Sequence, residues 1–246
     1  AAGVVAALGM TRRLGIENAI AFDMGGTTAK ASLIEHGAIS RGREYEVGGS
    51  ISAGSRLIRG AGELLRIPTI DIAEVGAGGG SIAWLDPAGG LQVGPRSASA
   101  DPGPACYGRG GVEPTVTDAN VVLGFIPAGE VADGEVTIRR DFAEEAVARL
   151  ATPLGLTVLE AADGIHRIAN ARMTRALRSV SSEKGRDPRD FAIIAYGGSG
   201  PVHAGGLAAE LGATTVLVPA VAGLFSAVGL LFARPEFHEV RSCHLD

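Results

Sequence analysis

A short apolar run, Ala19-Ile20-Ala21-Phe22, ends in Asp23-Met24-Gly25-Gly26-Thr27-Thr28, and a second run, Ala29 to Glu35, follows at once. No other feature constrains the fold as much. Two strands joined through a glycine pair predict an antiparallel hairpin. Glycines at its tip let the backbone turn sharply and leave no side chain between its N–H groups and an approaching anion. Thr27 and Thr28 add hydroxyl donors. Asp23, at the strand end, is placed to hold a hydrated magnesium ion or to orient a water. The motif is more specific than a lone glycine pair and predicts a phosphate-gripping turn, one half of an ATP-binding cleft.

The surrounding pattern extends the hairpin into a sheet. His36-Gly37 makes a turn and Ile39 to Val47 alternates, so a third strand is predicted and the three form a meander. Ser50 to Leu65 has helical spacing, with Ile51, Leu57, Ile58, Leu64 and Leu65 apolar. Ile70 to Val75 reads as a fourth strand entering Gly76-Ala77-Gly78-Gly79-Gly80-Ser81. Glycine and proline are dense from Asp86 to Pro114, with short helices starting near Thr117 and Asp141. The stretch of about 85–151 is expected to be an insertion within the fold. Thr157 to Lys184 is the strongest helix, with Ile165, Ile168, Met173, Leu177 and Val180 at three- and four-residue steps. Thr157 and Glu160 have the spacing of a capping box. Phe191 to Tyr196 is a strand, His203 to Leu211 a helix and Thr214 to Val218 a strand, while Ala1 to Leu14 is a helix closing at Gly15. The order predicts a mixed sheet with flanking helices, an α/β architecture.

Composition narrows the function. The 246 residues are 46% apolar, enough for a sizeable core, and carry a net charge of −5, without the basic excess of a general nucleic-acid binder. The two cysteines, Cys106 and Cys243, form no CxxC pair, so a zinc ribbon is unsupported and a reducing cytoplasm is the simplest setting. The uncharged run Val216 to Ala233 is divided by Pro219 into a buried strand and a buried helix, and no membrane partner is expected. Both ends look like cuts within a longer protein.

Two further glycine segments invite a ligand. Gly197-Gly198-Ser199-Gly200-Pro201 lies between an apolar strand and a helix, where the backbone can approach a nucleotide and the helix start favours negative charge. It has neither the lysine of a Walker loop nor the spacing of a dinucleotide fingerprint. The run Gly78-Gly79-Gly80 either lines the cleft or permits close strand packing. Other residues have plainer readings. Cys106 is expected to be a packing thiol and Asp118 a capping residue. His203 either touches ligand or packs and caps. His36, His166, His238 and His244 show no constellation. Arg167, Arg172, Arg175 and Arg178 read as a solvated or subunit-contacting face.

Four segments, Phe22 to Thr27, Val75 to Ala83, Asp101-Pro102-Gly103-Pro104-Ala105-Cys106-Tyr107-Gly108 and Tyr196 to Ala204, together resemble the hydantoinase A / 5-oxoprolinase family, closest to N-methylhydantoinase-type A subunits. The resemblance covers essentially the whole chain. It implies an actin-like ATPase (ribonuclease H-like) domain in which two related domains clamp ATP. This chain would be the second, with the first hairpin and the family's C-terminal region outside residues 1–246. Asp23 would hold magnesium and take part in catalysis. Gly25, Gly26, Thr27 and Thr28 would contact the phosphates, Gly197, Gly198, Ser199 and Gly200 the adenosine, and Gly78 and Gly79 would be cofactor-binding residues lining the cleft. The implied activity is ATP-dependent hydrolysis of a cyclic amide (hydantoin, N-methylhydantoin or 5-oxoproline type) through phosphorylation of its carbonyl oxygen. The implied partner is a hydantoinase B-type subunit or domain in an oligomer. The alternatives are an ATP-dependent acetone or acetophenone carboxylase subunit, or a nucleotide-binding fragment inactive by itself. Where many relatives continue Gly-Gly-Thr with Ser-Thr-Asp, this chain has Thr28-Ala29-Lys30. Lys30 either meets a phosphate or is a solvated strand residue.

Overall fold

The computed structural model describes residues 1–42, 45–47, 63–65, 69–131, 134, 136–235 and 237, with the backbone alone for 45–47 and 63–65. Helix α1 (Ala2–Leu14) leads into β1 (Ala19–Met24), β2 (Ala29–Glu35) and β3 (Ala38–Ile39), an antiparallel meander. Next come β4 (Arg41–Gly42), β5 (Tyr45–Val47), β6 (Glu63–Leu65), β7 (Thr69–Ile70) and β8 (Ala73–Val75). The central part holds β9 (Ser81–Leu85), β10 (Leu91–Ser97), α2 (Val116–Val122), β11 (Gly129–Val131), β12 (Val136–Ile138) and α3 (Arg140–Leu154). The chain continues through α4 (Val158–Val180), β13 (Ala192–Tyr196), α5 (Gly200–Leu211), β14 (Val216–Leu217) and α6 (Phe225–Phe232).

The main sheet has the order β14-β13-β1-β2-β3, with β8 also on β2. β13 lies parallel to β1, and β14 parallel to β13. A meander whose first strand receives parallel strands on its other edge is the ribonuclease H-like arrangement of actin-like ATPase domains, as expected. Alternation along β1 explains the layering, because successive side chains point to opposite faces. Ile20, Phe22 and Met24 join Leu33, Ile193, Ile165, Met173 and Leu207 in the larger core, under α4 and α5. Ala19 and Ala21 join Val4, Ile34, Ile194, Tyr196 and Phe225 in the smaller one, under α1 and α6. β13 is buried along its whole length, as a central parallel strand should be. The Thr157–Glu160 capping box opens α4, the Glu160 N–H donating to Thr157 Oγ1 and the Thr157 N–H to Glu160 Oε2.

Four expectations change. The strand expected over Ile70 to Val75 is two, Thr69–Ile70 pairing with β4 and Ala73–Val75 with β2. The third strand is not continuous from Ile39 to Val47. β3 stays on the main sheet, while β4 pairs with β7 and β5 with β6. The helix expected over Ser50 to Leu65 lies outside the described residues up to Gly62. Its last part, Glu63–Leu65, is strand, because antiparallel pairing with Tyr45–Val47 overrides the helical spacing. Neither segment expected to be buried around Pro219 is: in β14 Val216 is exposed and Leu217 half-buried, and the helix buries only Phe225 and Gly229, leaving Leu230, Leu231 and Phe232 exposed. Cys243, His238 and His244 lie outside the described residues. No helix among the described residues is long and apolar enough to cross a membrane.

Candidate functional site

The three glycine segments singled out in the sequence meet at one end of the sheet. At the hairpin tip the Gly25 N–H donates to the Thr28 carbonyl at 3.1 Å, closing the turn. The carbonyl groups of Gly25 and Gly26 both turn toward the glycine run. Gly25 accepts the Gly79 N–H at 3.0 Å, and Gly26 accepts the Gly80 N–H at 2.7 Å. In a planar trans peptide the carbonyl and the following N–H point in opposite directions. The N–H groups of Gly26 and Thr27 are therefore aimed away from the run. Neither donates a hydrogen bond among the described residues, and both residues are exposed. Two outward N–H groups with no partner among the described residues, one of them on a glycine, have the form of an anion cradle.

Gly78 makes that orientation possible by its missing side chain. A Cβ on it would lie 2.5 Å from Gly26 C and Thr27 N, inside the hairpin backbone. The expected role of the run is thus refined. Gly78, Gly79 and Gly80 are buried, and their N–H groups go to Ser81 Oγ, Gly25 O and Gly26 O. They hold the hairpin from behind and have no N–H left for a cofactor. Thr117, at the start of α2, anchors the run in turn, its N–H and hydroxyl both donating to the Gly79 carbonyl at 2.8 and 2.9 Å.

Asp23 is half-buried at the end of β1, paired in register with Tyr196 on one side and Lys30 on the other. The Ser226 hydroxyl donates to its Oδ2 at 3.3 Å. The loop after β13 docks here. Gly197 has φ +84, a left-handed conformation that suits glycine, and a Cβ on it would lie 2.3 Å from Met24 O and 2.6 Å from Asp23 Oδ1. The Ser199 N–H donates to Met24 O at 3.0 Å, while Gly198 is exposed. Asp23, the hairpin and the 197–200 loop are therefore brought together. Among the described residues no group of three metal-ligating side chains exists. A lone carboxylate beside an anion cradle matches how magnesium is held, through one or two carboxylates, phosphate oxygens and water.

Behind the run lies an open groove of about 470 Å³ lined by Ile82, Arg96, Ser99, Asp101 and Glu113, among others. Gly80 joins the two places, donating to Gly26 O and accepting the Ala98 N–H at 2.8 Å.

Asp118 caps α2, though as the acidic member of a capping box whose N-cap is Thr115. Its buried carboxylate accepts the N–H groups of Cys106 (2.7 Å) and Thr115 (2.8 Å) and the Thr115 hydroxyl (2.7 Å). Burial, reinforced by that carboxylate, raises the Cys106 thiol pKa, so Cys106 is an inert packing thiol.

The reading of His166 and His203 needs the largest correction, because with Asn120 and Asn170 they form a closed buried ring. Asn120 Nδ2 donates to His203 Nε2 (3.2 Å) and His203 Nδ1 to Asn170 Oδ1 (2.6 Å). Asn170 Nδ2 donates to His166 Nε2 (3.1 Å) and His166 Nδ1 to Asn120 Oδ1 (2.8 Å). An amide nitrogen only donates and an amide oxygen only accepts. Both histidines therefore carry one proton, on Nδ1, and are neutral. Their rings stack at 4.5 Å. The ring ties α2, α4 and α5 together and occupies both ring nitrogens of His203, which is fully buried. The one sequence signal was His166 and Asn170 at an i,i+4 step on the apolar stripe of α4.

Burial, and then the neighbouring His166, pushes the His203 pKa down to about 3. Burial also lowers that of His166, opposed by Asp163. Above pH 6.5 both folded and unfolded states hold these groups neutral. Below it the unfolded chain takes up protons that the folded state refuses, so stability falls with pH. Between pH 7 and pH 5, His203 alone should cost about 2 kcal/mol. Urea midpoints at the two pH values test this, and His203→Gln should flatten the dependence. A wild-type midpoint unchanged down to pH 5 would contradict it.

Known proteins resemble this chain along nearly its whole length. The hydantoinase/oxoprolinase family model matches residues 1–239. The caprolactamase subunit alpha of Pseudomonas jessenii is 41% identical over 96% of this chain and 32% of its own length. The crystal structure of the ATP-dependent caprolactamase from that organism superposes with a TM-score of 0.77 at 44% identity, over 93% of this chain and 31% of that one. Nucleotide-free acetone carboxylase superposes with a TM-score of 0.78 at 32% identity, over 93% and 31%. The chain thus spans about a third of the length of these relatives.

Proposed function

The chain belongs to the hydantoinase/oxoprolinase family, and from that premise we propose that it is the second ATPase domain of an ATP-dependent cyclic amidohydrolase acting on a hydantoin, N-methylhydantoin, 5-oxoproline or related lactam. The observation that carries this reading is the hairpin whose carbonyls are tied back to Gly79 and Gly80, leaving the Gly26 and Thr27 N–H groups aimed outward. Residues of about 85–151 form the insertion of that domain.

An unstrained cyclic amide resists hydrolysis because its carbonyl is a poor electrophile and its nitrogen a poor leaving group. ATP supplies the phosphoryl group that activates the carbonyl oxygen: ADP leaves, one water adds to the carbon, the ring C–N bond breaks to leave an acyl phosphate, and a second water releases phosphate from the opened product. The protein's task is positioning and charge neutralisation. The Gly26 and Thr27 N–H groups and the Thr27 and Thr28 hydroxyls grip the phosphate. Asp23 holds magnesium, and Gly197, Gly198, Ser199 and Gly200 lie beside the adenosine. Gly25, Gly78 and Gly79 shape the cradle without touching the nucleotide. A B-type subunit or domain completes the enzyme in a cytoplasmic oligomer.

The likeness to acetone carboxylase supports a second reading, a ketone carboxylase subunit. ADP release by the full-length protein with its partner separates the two. Cyclic amides should raise release above background, while acetone and acetophenone with bicarbonate should not. The reverse pattern favours the carboxylase, and no response to either class overturns both.

A further inference from the structure

Three neighbouring strands set three charges side by side next to the hairpin. Asp23 pairs in register with Lys30, and Lys30 with Glu74. Lys30 could have collapsed onto Asp23. Instead its Nζ lies 3.3 Å from Glu74 Oε1 and 2.9 Å from Thr28 Oγ1. The ion pair with Glu74 is solvent-exposed and contributes little to stability by itself. Its effect is directional: it draws the ammonium off Asp23 and lays it against the last residue of the hairpin.

The bond to Thr28 has a fixed polarity. An ammonium only donates, whereas a hydroxyl has one proton and two acceptor sites. Lys30 therefore occupies a lone pair of Thr28 Oγ1 and leaves the hydroxyl proton free to be given elsewhere. Thr28 is the residue just before β2, and the 2.9 Å contact shows that its hydroxyl and the Lys30 ammonium lie on the same side.

We propose that Lys30 and the Thr28 hydroxyl it holds form the subsite for the terminal phosphoryl group, Thr28 donating to a phosphoryl oxygen and Lys30 acting behind it as a positioning residue. This rests on the ATP-binding reading of the hairpin and adds to it a discrimination between ATP and ADP. Loss of one charge-supported hydrogen bond to the terminal phosphate corresponds to about tenfold in affinity.

Titration of the full-length protein with a non-hydrolysable ATP analogue and with ADP, both with magnesium, tests it. Lys30→Met and Thr28→Val should each weaken the ATP analogue about tenfold and change ADP less than about threefold. Lys30→Arg, which keeps charge and donor, and Thr28→Ser, which keeps the hydroxyl, should stay near wild type. A merely structural role for Lys30 would weaken both nucleotides together. That outcome, or an unchanged ratio of the two affinities in Lys30→Met, overturns the subsite while leaving the hairpin assignment intact. Failure of the wild-type protein to bind either nucleotide overturns both.

Discussion

Gly78→Ala in the full-length enzyme is expected to lower kcat/KM for ATP by on the order of 100-fold, the loss that follows a misplacement of about 1 Å. A methyl group there would sit 2.5 Å from Gly26 C and Thr27 N and 2.6 Å from Gly26 O. All three are backbone atoms, so no side-chain rotation relieves the clash and the hairpin itself must move. The displacement acts on the peptide that carries the outward Thr27 N–H. Thermal stability should fall as well, by about 1–3 kcal/mol for overpacking of a tight site. Gly79→Ala provides the contrast. Its added methyl meets Ser199 Oγ and Thr117 Oγ1 at 2.7 Å, both ends of side chains that can rotate. That variant should lose several-fold less activity. Steady-state kinetics and melting curves of the two variants check the ranking, and equal losses would show that the glycine run does not set the hairpin's orientation.

Asp23→Asn is expected to lower ATP turnover by about 100-fold or more, since even residues that only support a metal ligand are worth about 10- to 100-fold. The substitution keeps the shape and the neighbouring Ser226 hydroxyl, and removes the charge. Among the described residues no buried ion pair depends on Asp23, so the fold should remain. The loss should be accompanied by a higher magnesium requirement. Titration of activity against magnesium separates this from a packing effect, and full activity at wild-type magnesium in the Asn variant would remove Asp23 from the site.

The hairpin was legible in the sequence because its chemistry is local: an apolar strand, two glycines and two threonines in six positions. The hairpin's two strands and the strands Phe191 to Tyr196 and Thr214 to Val218 were legible too, from short apolar runs with helices between, which predicted a mixed sheet; that β13 and β14 add in parallel is shown by the fold. The glycine run was half-legible. Three glycines signal close approach, yet only the fold shows that the hairpin backbone is what packs against Gly78. Residues 39–47 alternate like one strand, but the chain leaves the main sheet after Ile39, and Glu63–Leu65 joins the ribbon that results. The register of such a ribbon is a tertiary choice. The Asn120–His166–Asn170–His203 ring was least legible, because its members come from three helices and each alone looks like a routine polar residue. It leaves no buried side-chain donor or acceptor unpaired among the described residues.

The central claim is that the glycine run turns the hairpin carbonyls inward so that the Gly26 and Thr27 N–H groups bind phosphate. A structure of the full-length protein with an ATP analogue and magnesium tests it most directly. The predicted result is phosphate oxygens about 2.7–3.2 Å from both nitrogens, with the Gly79–Gly25 and Gly80–Gly26 hydrogen bonds intact. Adenine at the hairpin, or phosphate bound with those two hydrogen bonds broken, would contradict it.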